Sequence, residues 1–146
     1  MSLDVGSVAR FLRILGSYIL GLGLLGLGVA CFIDPVEAAV MYFGEKHRGS
    51  SGGDSVVKWV EVTGLRDAGL GLATLLLARY SPASIKVLAP CLFLIPVGDA
   101  IITYRHDGDA LNVVIHSLGS ICILILSICA ALDPTLQLEP GKAKAA

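Results

Sequence analysis

Charge and aromatic rings are both scarce in this chain. Only 16% of its 146 residues are Asp, Glu, Lys or Arg, and 6% are aromatic. A soluble domain covers itself with more charge than that. No CxxC occurs among Cys31, Cys91, Cys122 and Cys129, so quinone-linked disulfide chemistry has no centre. All four sit in apolar segments, where Cys behaves as a small core residue. The chain has no P-loop, no dinucleotide fingerprint and no GxSxG. It has no basic patch interleaved with aromatics, so nucleic acid is not an expected partner. An N-x-S/T sequon is also missing, and glycosylation gives no topological mark.

What the chain does have is apolar sequence in long blocks. Hydrophobic residues make up 55% of it, and its mean hydropathy is +0.78. Blocks of that kind read as membrane spans of ~20 residues each. Four fit: Phe11–Ile33, Val56–Tyr80, Ile85–Tyr104 and Ala110–Leu132. The expected fold is all-α, a four-transmembrane-helix bundle with a short interfacial helix after the first span. In domain terms, residues 1–10 form an N-terminal segment, 11–133 the membrane domain and 134–146 a C-terminal tail. A signal peptide competes for the first block, but the run exceeds the ~7–15 residues of an h-region, and further spans follow. Arg13, near its start, is expected to snorkel to the headgroups. Ser17/Gly21 and Gly26/Ala30 are small-xxx-small pairs suited to helix packing.

After the first span, Asp34-Pro35-Val36-Glu37 carries an N-cap, an N1 proline and an acidic N3 residue. A short helix over about Pro35–Phe43 is predicted at the interface, ended by Gly44. The following GEKHRGSSGGDS reads as a flexible loop. Its His47 with Glu45, and His106 with Asp107 further on, match no zinc spacing, and no metal or cofactor is expected. His116 is the only histidine inside a span, which argues against bis-histidine haem.

The informative residues are the ionisable ones inside the spans: Glu61, Arg66, Asp67, Asp99 and His116. A charge at mid-bilayer costs roughly 2.5–3.5 kcal/mol on insertion scales, so such residues mark a paired polar core or a functional site. Arg66 and Asp67 lie ~15–17 Å into the second span. Adjacent helical residues point ~100° apart, so each is expected to pair with another helix rather than with its neighbour. The expected partner of Arg66 is Asp99. Gly64, Ala68 and Gly71 offer a surface for close helix approach. In the third span Pro90 and Pro96 predict a kink, with Asp99 one turn after Pro96. In the fourth, Asn112, His116 and Ser120 form an i, i+4, i+8 stripe.

Antiparallel threading brings these groups together. Glu61 enters from the side of the 34–55 loop, Asp99 leaves toward it, and His116 returns from it. All three are expected in one leaflet around a polar pocket, with Arg66 and Asp67 one to two turns deeper. Asp99, Asp67 and His116 are the candidate acid–base residues. Arg66, Glu61, Asn112 and Ser120 are the candidates for substrate contact, with Glu61 at the mouth. Arg10, Arg13, Arg79, Lys86, Lys142 and Lys144 on the terminal side outnumber Lys46, Arg48, Lys58 and Arg105 opposite. That bias places both termini in the cytoplasm. In a eukaryote the endoplasmic reticulum is the expected membrane.

Gly64-Leu65-Arg66-Asp67, Gly69 to Gly71, Pro96 with Asp99, and His116 carry a resemblance covering most of the chain after Phe11. The chain resembles a poorly characterised family of small four-helix membrane proteins, common in fungi and distantly DoxX-like. The resemblance implies a four-span bundle. Some fungal relatives accompany secondary-metabolite pathways, where small membrane proteins act as cyclases or isomerases. The expectation is therefore a cofactor-independent cyclase or isomerase, including the pericyclase type, for a lipophilic terpenoid or polyketide intermediate. The alternative is a non-catalytic assembly subunit or small carrier whose buried polar residues lock the helices. The expected partners are the lipophilic molecule and the lipid bilayer, with a homo-oligomer left open.

Overall fold

The computed structural model describes residues 4–43, 53–105 and 109–136. Among them every regular element is helical. Helix α1 spans Val5–Ile33, α2 Pro35–Phe43, α3 Gly53–Tyr80, α4 Ile85–Arg105 and α5 Ala110–Leu132. Single 3-10 turns at Pro82–Ser84 and Pro134–Leu136 precede α4 and follow α5. Glu45, His47, His106, Asp107 and the 44–52 loop lie outside the described residues, as does the tail beyond Leu136.

Helix ends follow local chemistry. Asp4 caps α1, accepting from the Gly6 and Ser7 amides, so the helix starts two turns before Phe11. Asp34 closes α1 through its amide to the Ala30 carbonyl and starts α2 by accepting the Glu37 amide at 3.0 Å. A proline follows, because its missing N–H costs nothing in a first turn. The same Asp-Pro device ends α5: the Asp133 amide donates to the Cys129 carbonyl, and Pro134 opens the next turn. Ser81 precedes Pro82, but its hydroxyl meets Ser84 rather than an amide. Helix α4 runs through Pro90 and Pro96 without a break in its assignment.

Among the described residues three helices are long and apolar enough to cross a membrane: α1, α4 with its preceding turn, and α5. This is the pattern of an integral membrane protein. Helix α3 is as long as they are, but Lys58, Glu61, Arg66, Asp67 and Arg79 lower its apolar character.

Packing pairs α1 with α3, and α4 with α5. Glycines set the first pair. A Cβ on Gly28 would lie 2.5 Å from the Gly64 carbonyl oxygen and the Ala68 nitrogen, and one on Gly71 would lie 2.6 Å from the Gly21 oxygen. The two backbones touch at 21/71 and 28/64, an antiparallel register that only glycine permits. Gly26 takes no part, since a Cβ there meets nothing within 4 Å; Ser17, Gly21, Gly28 and Cys31 form the buried stripe instead.

Two apolar clusters close the ends of the bundle. Ile85, Ala89, Leu126 and Ala130 pack with Leu20, Leu77, Ala78 and Leu88 near the termini. Cys31, Ala38, Ala39, Tyr42 and Val60 pack at the opposite end. The second cluster draws α2 into the fold against α1, α3 and α5. Between the clusters, α3 and α4 touch sparsely, and the interior is occupied by polar side chains and a cavity.

Arg13 does not snorkel. It is buried, and its Nε donates to the Asp133 carboxylate at 2.7 Å. Asp133 also accepts from the Thr135 amide and hydroxyl at 2.8 and 2.7 Å. With a carboxylate so near, a stretched route to the headgroups offers Arg13 nothing more. This bridge ties the first span to the residue after the last one.

Candidate functional site

The site begins at the end of a short helix. The last carbonyls of a helix lack partners within it. At the end of α2, Asn112 Nδ2 donates to the Val40 and Met41 carbonyls at 3.3 and 3.1 Å. His116 Nε2 lies 3.3 Å from the Tyr42 carbonyl. A carbonyl can only accept, so Nε2 carries the proton, and Nδ1 is the nitrogen left to exchange one. Among the described residues Nδ1 has no hydrogen-bond partner. The polar stripe of α5 thus receives α2 and holds its end inside the bundle.

Tyr42 extends this link. Its ring centroid lies 6.3 Å from that of His116, and its hydroxyl donates to Asp67 Oδ2 at 2.7 Å. Asp67 Oδ1 accepts from Arg66 Nε at 2.8 Å. The neighbours therefore do pair, against the sequence expectation. Their Cβ directions diverge, but the long arginine side chain folds back far enough to close the gap. Arg66 also reaches Asp99, Nη2 to Oδ2, at 3.5 Å. One chain of contacts joins α5, α2, α3 and α4.

Asp67 is fully engaged, with both oxygens bonded and 3% of its surface exposed. Asp99 is not: its one contact is long, and 27% of its side chain is accessible. Asp99, His116 Nδ1 and the unused N–H groups of Arg66 are the groups free to meet a ligand.

They meet a cavity of about 660 Å³, lined by Tyr42, Arg66, Asp67, Asp99 and His116 at one end and otherwise by apolar residues. That is ample for a drug-sized molecule. Along α1 the lining runs from Leu12 to Leu27, ~22 Å at helical rise. Leu15, Ile19, Ile115 and Ile125 line it and are also exposed, so it reaches the outer surface between α1 and α5. Met41 and Tyr42 of α2 cover its polar end.

Of the candidate acid–base residues, Asp99, His116 and Asp67 all line this cavity, as does Arg66. The other three do not. Glu61 is exposed on α3, because Val60, Gly64, Asp67, Gly71 and Thr74 form the buried stripe and Glu61 lies ~100° from it. It is not at the mouth. Asn112 is taken up by the α2 carbonyls, and the Ser120 hydroxyl by the His116 carbonyl at 3.0 Å. The glycine register sets Ile33 level with Trp59, five residues on from Gly28 and five back from Gly64, and Arg66 reaches Asp99 from α3 to α4.

Tyr42 and Met41 are the site residues that sequence reasoning missed. A signal existed. Ala38, Ala39 and Tyr42 share one face of α2 at i, i+1 and i+4, and two small residues beside an aromatic mark close packing.

The profile of a family described as "Domain of unknown function (DUF4267)" matches residues 21–130. The chain belongs to that family. It contains all of the cavity's polar end, from Tyr42 to His116, within the matched segment. A comparison with curated proteins found no match, and a comparison with solved structures found none.

Proposed function

We propose that the chain is a membrane-embedded, cofactor-independent enzyme of the isomerase or cyclase type. Its substrate is a lipophilic small molecule such as a terpenoid or polyketide intermediate of secondary metabolism. The observation that carries this reading is the apolar cavity, open between α1 and α5 and ending on Asp99, His116 and Arg66. In the reaction Asp99 and His116 Nδ1 exchange protons with the substrate, and Arg66 holds an oxygen as charge develops on it. Asp67 and Tyr42 act through Arg66 and His116 and are positioning residues, since their polar atoms are already bonded to one another.

The proposal includes four spans. Helix α3 lies antiparallel on α1 through two glycine contacts seven residues apart, so it crosses the same slab. Its charges are tolerated because Arg66 and Asp67 neutralise each other, and Arg79 sits in the last turn. Helix α2 then enters from the loop side. The weak Lys/Arg bias supports cytoplasmic termini, and the distant DoxX-like, fungal resemblance supports the endoplasmic reticulum.

A second reading rests on the engaged Asp67: the polar chain locks four helices of a non-catalytic subunit or carrier. The discriminating experiment is mass spectrometry of small molecules that copurify with the full chain. The enzyme reading expects a lipophilic species that is lost in Gly23→Leu. Gly23 lines the cavity, and a Cβ there meets nothing within 4 Å, so the leucine fills space without a clash. Equal lipid content in both proteins would favour the structural reading.

A further inference from the structure

The polar end of the cavity restricts the head group it can take. Its ion-paired groups are Arg66, Asp67 and Asp99, with His116 Nε2 against the Tyr42 carbonyl. One cation faces two carboxylates. Asp67 already compensates the guanidinium at 2.8 Å, while Asp99 stands 3.5 Å away. A carboxylate, phosphate or sulfonate head would bring a further negative charge beside Asp99, and like-charge juxtaposition is unfavourable. Arg66 is therefore poorly placed to bind an acid, although it is the cation in the pocket.

Its remaining N–H groups can still donate. Asp99 and His116 Nδ1 can still accept. The complement of one donor group beside two acceptors is a neutral head with an acceptor and a donor close together. A carbonyl next to a hydroxyl or enol has that pattern. The cavity as a whole extends ~22 Å along α1 and is apolar beyond this end, so the body of the ligand is long and lies along the helices.

Resting on the proposed reading of the cavity, we propose that its ligand is an elongated, uncharged lipophile with an enolisable carbonyl head. The carbonyl accepts from Arg66, and its hydroxyl or acidic C–H faces Asp99. Proton traffic then balances without a co-reactant. Asp99 takes a proton from the carbon beside the carbonyl, and the C–H electron pair forms the C=C of an enolate whose oxygen rests on Arg66. In a ligand with a C=C one carbon further on, the enolate is a dienolate, and return of the same proton to its far carbon moves the double bond into conjugation with the carbonyl and regenerates the carboxylate.

The test uses two probes with the same chain length, hexadecane-2,4-dione and hexadecane-1-sulfonate. Their binding to the purified full chain in neutral detergent is titrated near neutral pH, with Gly23→Leu and Gly119→Leu as blocked controls whose folding is checked by melting. The expected result is a preference for the diketone of ~10-fold or more, a clear tenfold step in equilibrium constant. The preference shrinks in Asp99→Asn, which removes the excess negative charge. Sulfonate binding as tight as diketone binding, blocked by either leucine, would overturn the neutral-head inference and leave the cavity reading standing. Binding that neither leucine blocks, or none at all, would overturn both.

Discussion

Arg13 on α1 and Asp133 just after α5 form an ion pair at 2.7 Å with side chains 5% and 0% exposed. The pair joins α1 to the residue after α5, while the cavity opens between the same two helices further along. Removing one partner of a buried pair strands the other, at a cost of ~3–5 kcal/mol. Arg13→Met is expected to lower the melting temperature sharply, and Arg13→Met with Asp133→Leu to recover part of the loss. A double-mutant cycle in detergent checks this; equal melting of Arg13→Met and wild type would contradict it.

Acid should reach the same place. Burial pushes the Asp133 carboxyl up, but the Thr135 hydroxyl, the Arg13 hydrogen bond, the Thr135 amide and the Arg13 charge together hold it below the usual carboxylate range. A carboxyl lowered in the folded state stabilises it above the unfolded pKa, ~3.9, and that contribution fades as pH falls through the folded value. Melting followed from neutral pH into the acid range should show a drop below ~4 that is smaller in Asp133→Asn. Parallel curves for the two proteins would count against the linkage.

The glycine register between α1 and α3 gives a sharper contrast. Gly28→Ala puts a Cβ 2.5 Å from two backbone atoms of α3, an overpacking that costs ~1–3 kcal/mol or more. Gly26→Ala meets nothing and gains the helix propensity of alanine, up to ~1 kcal/mol. Thermal melting should separate the two variants in opposite directions from wild type.

Tyr42→Phe removes the hydroxyl that Asp67 Oδ2 accepts and leaves a buried oxygen short of a partner, a loss of ~1–3 kcal/mol. Because the Tyr42 hydroxyl holds Asp67, which in turn holds Arg66, its loss should also weaken binding of a ligand that accepts from Arg66. A stability loss with unchanged binding would confine Tyr42 to a structural part.

Much of this was legible in the sequence, and for identifiable reasons. Apolar run length gives the helices, and Asp-Pro gives the breaks at Asp34 and Asp133. Antiparallel threading brings Asp99 and His116 to one level. The Arg66–Asp99 contact follows because a guanidinium in an otherwise apolar helical segment needs a carboxylate. The rest depends on side-chain reach and on register, which no periodicity encodes. Arg66 turns back to its own neighbour, Arg13 finds Asp133 at a sequence distance of 120, and a glycine contact fixes how far α3 slides along α1. Glu61, Asn112 and Ser120 had the right chemistry, but other faces and other carbonyls claim them.

Isotope exchange reads directly the proposed exchange of protons between Asp99, His116 and a lipophile in the cavity. The purified full chain is incubated in D₂O with the lipophilic extract of its native cells, and deuterium incorporation is followed by mass spectrometry. Wild type is expected to label or convert a discrete lipophilic compound. Asp99→Asn and His116→Gln, melting like wild type, are expected to slow that labelling by roughly 10²–10⁴-fold. Labelling by wild type that both folded variants match would contradict the proposed exchange, as would no compound on which wild type differs from them.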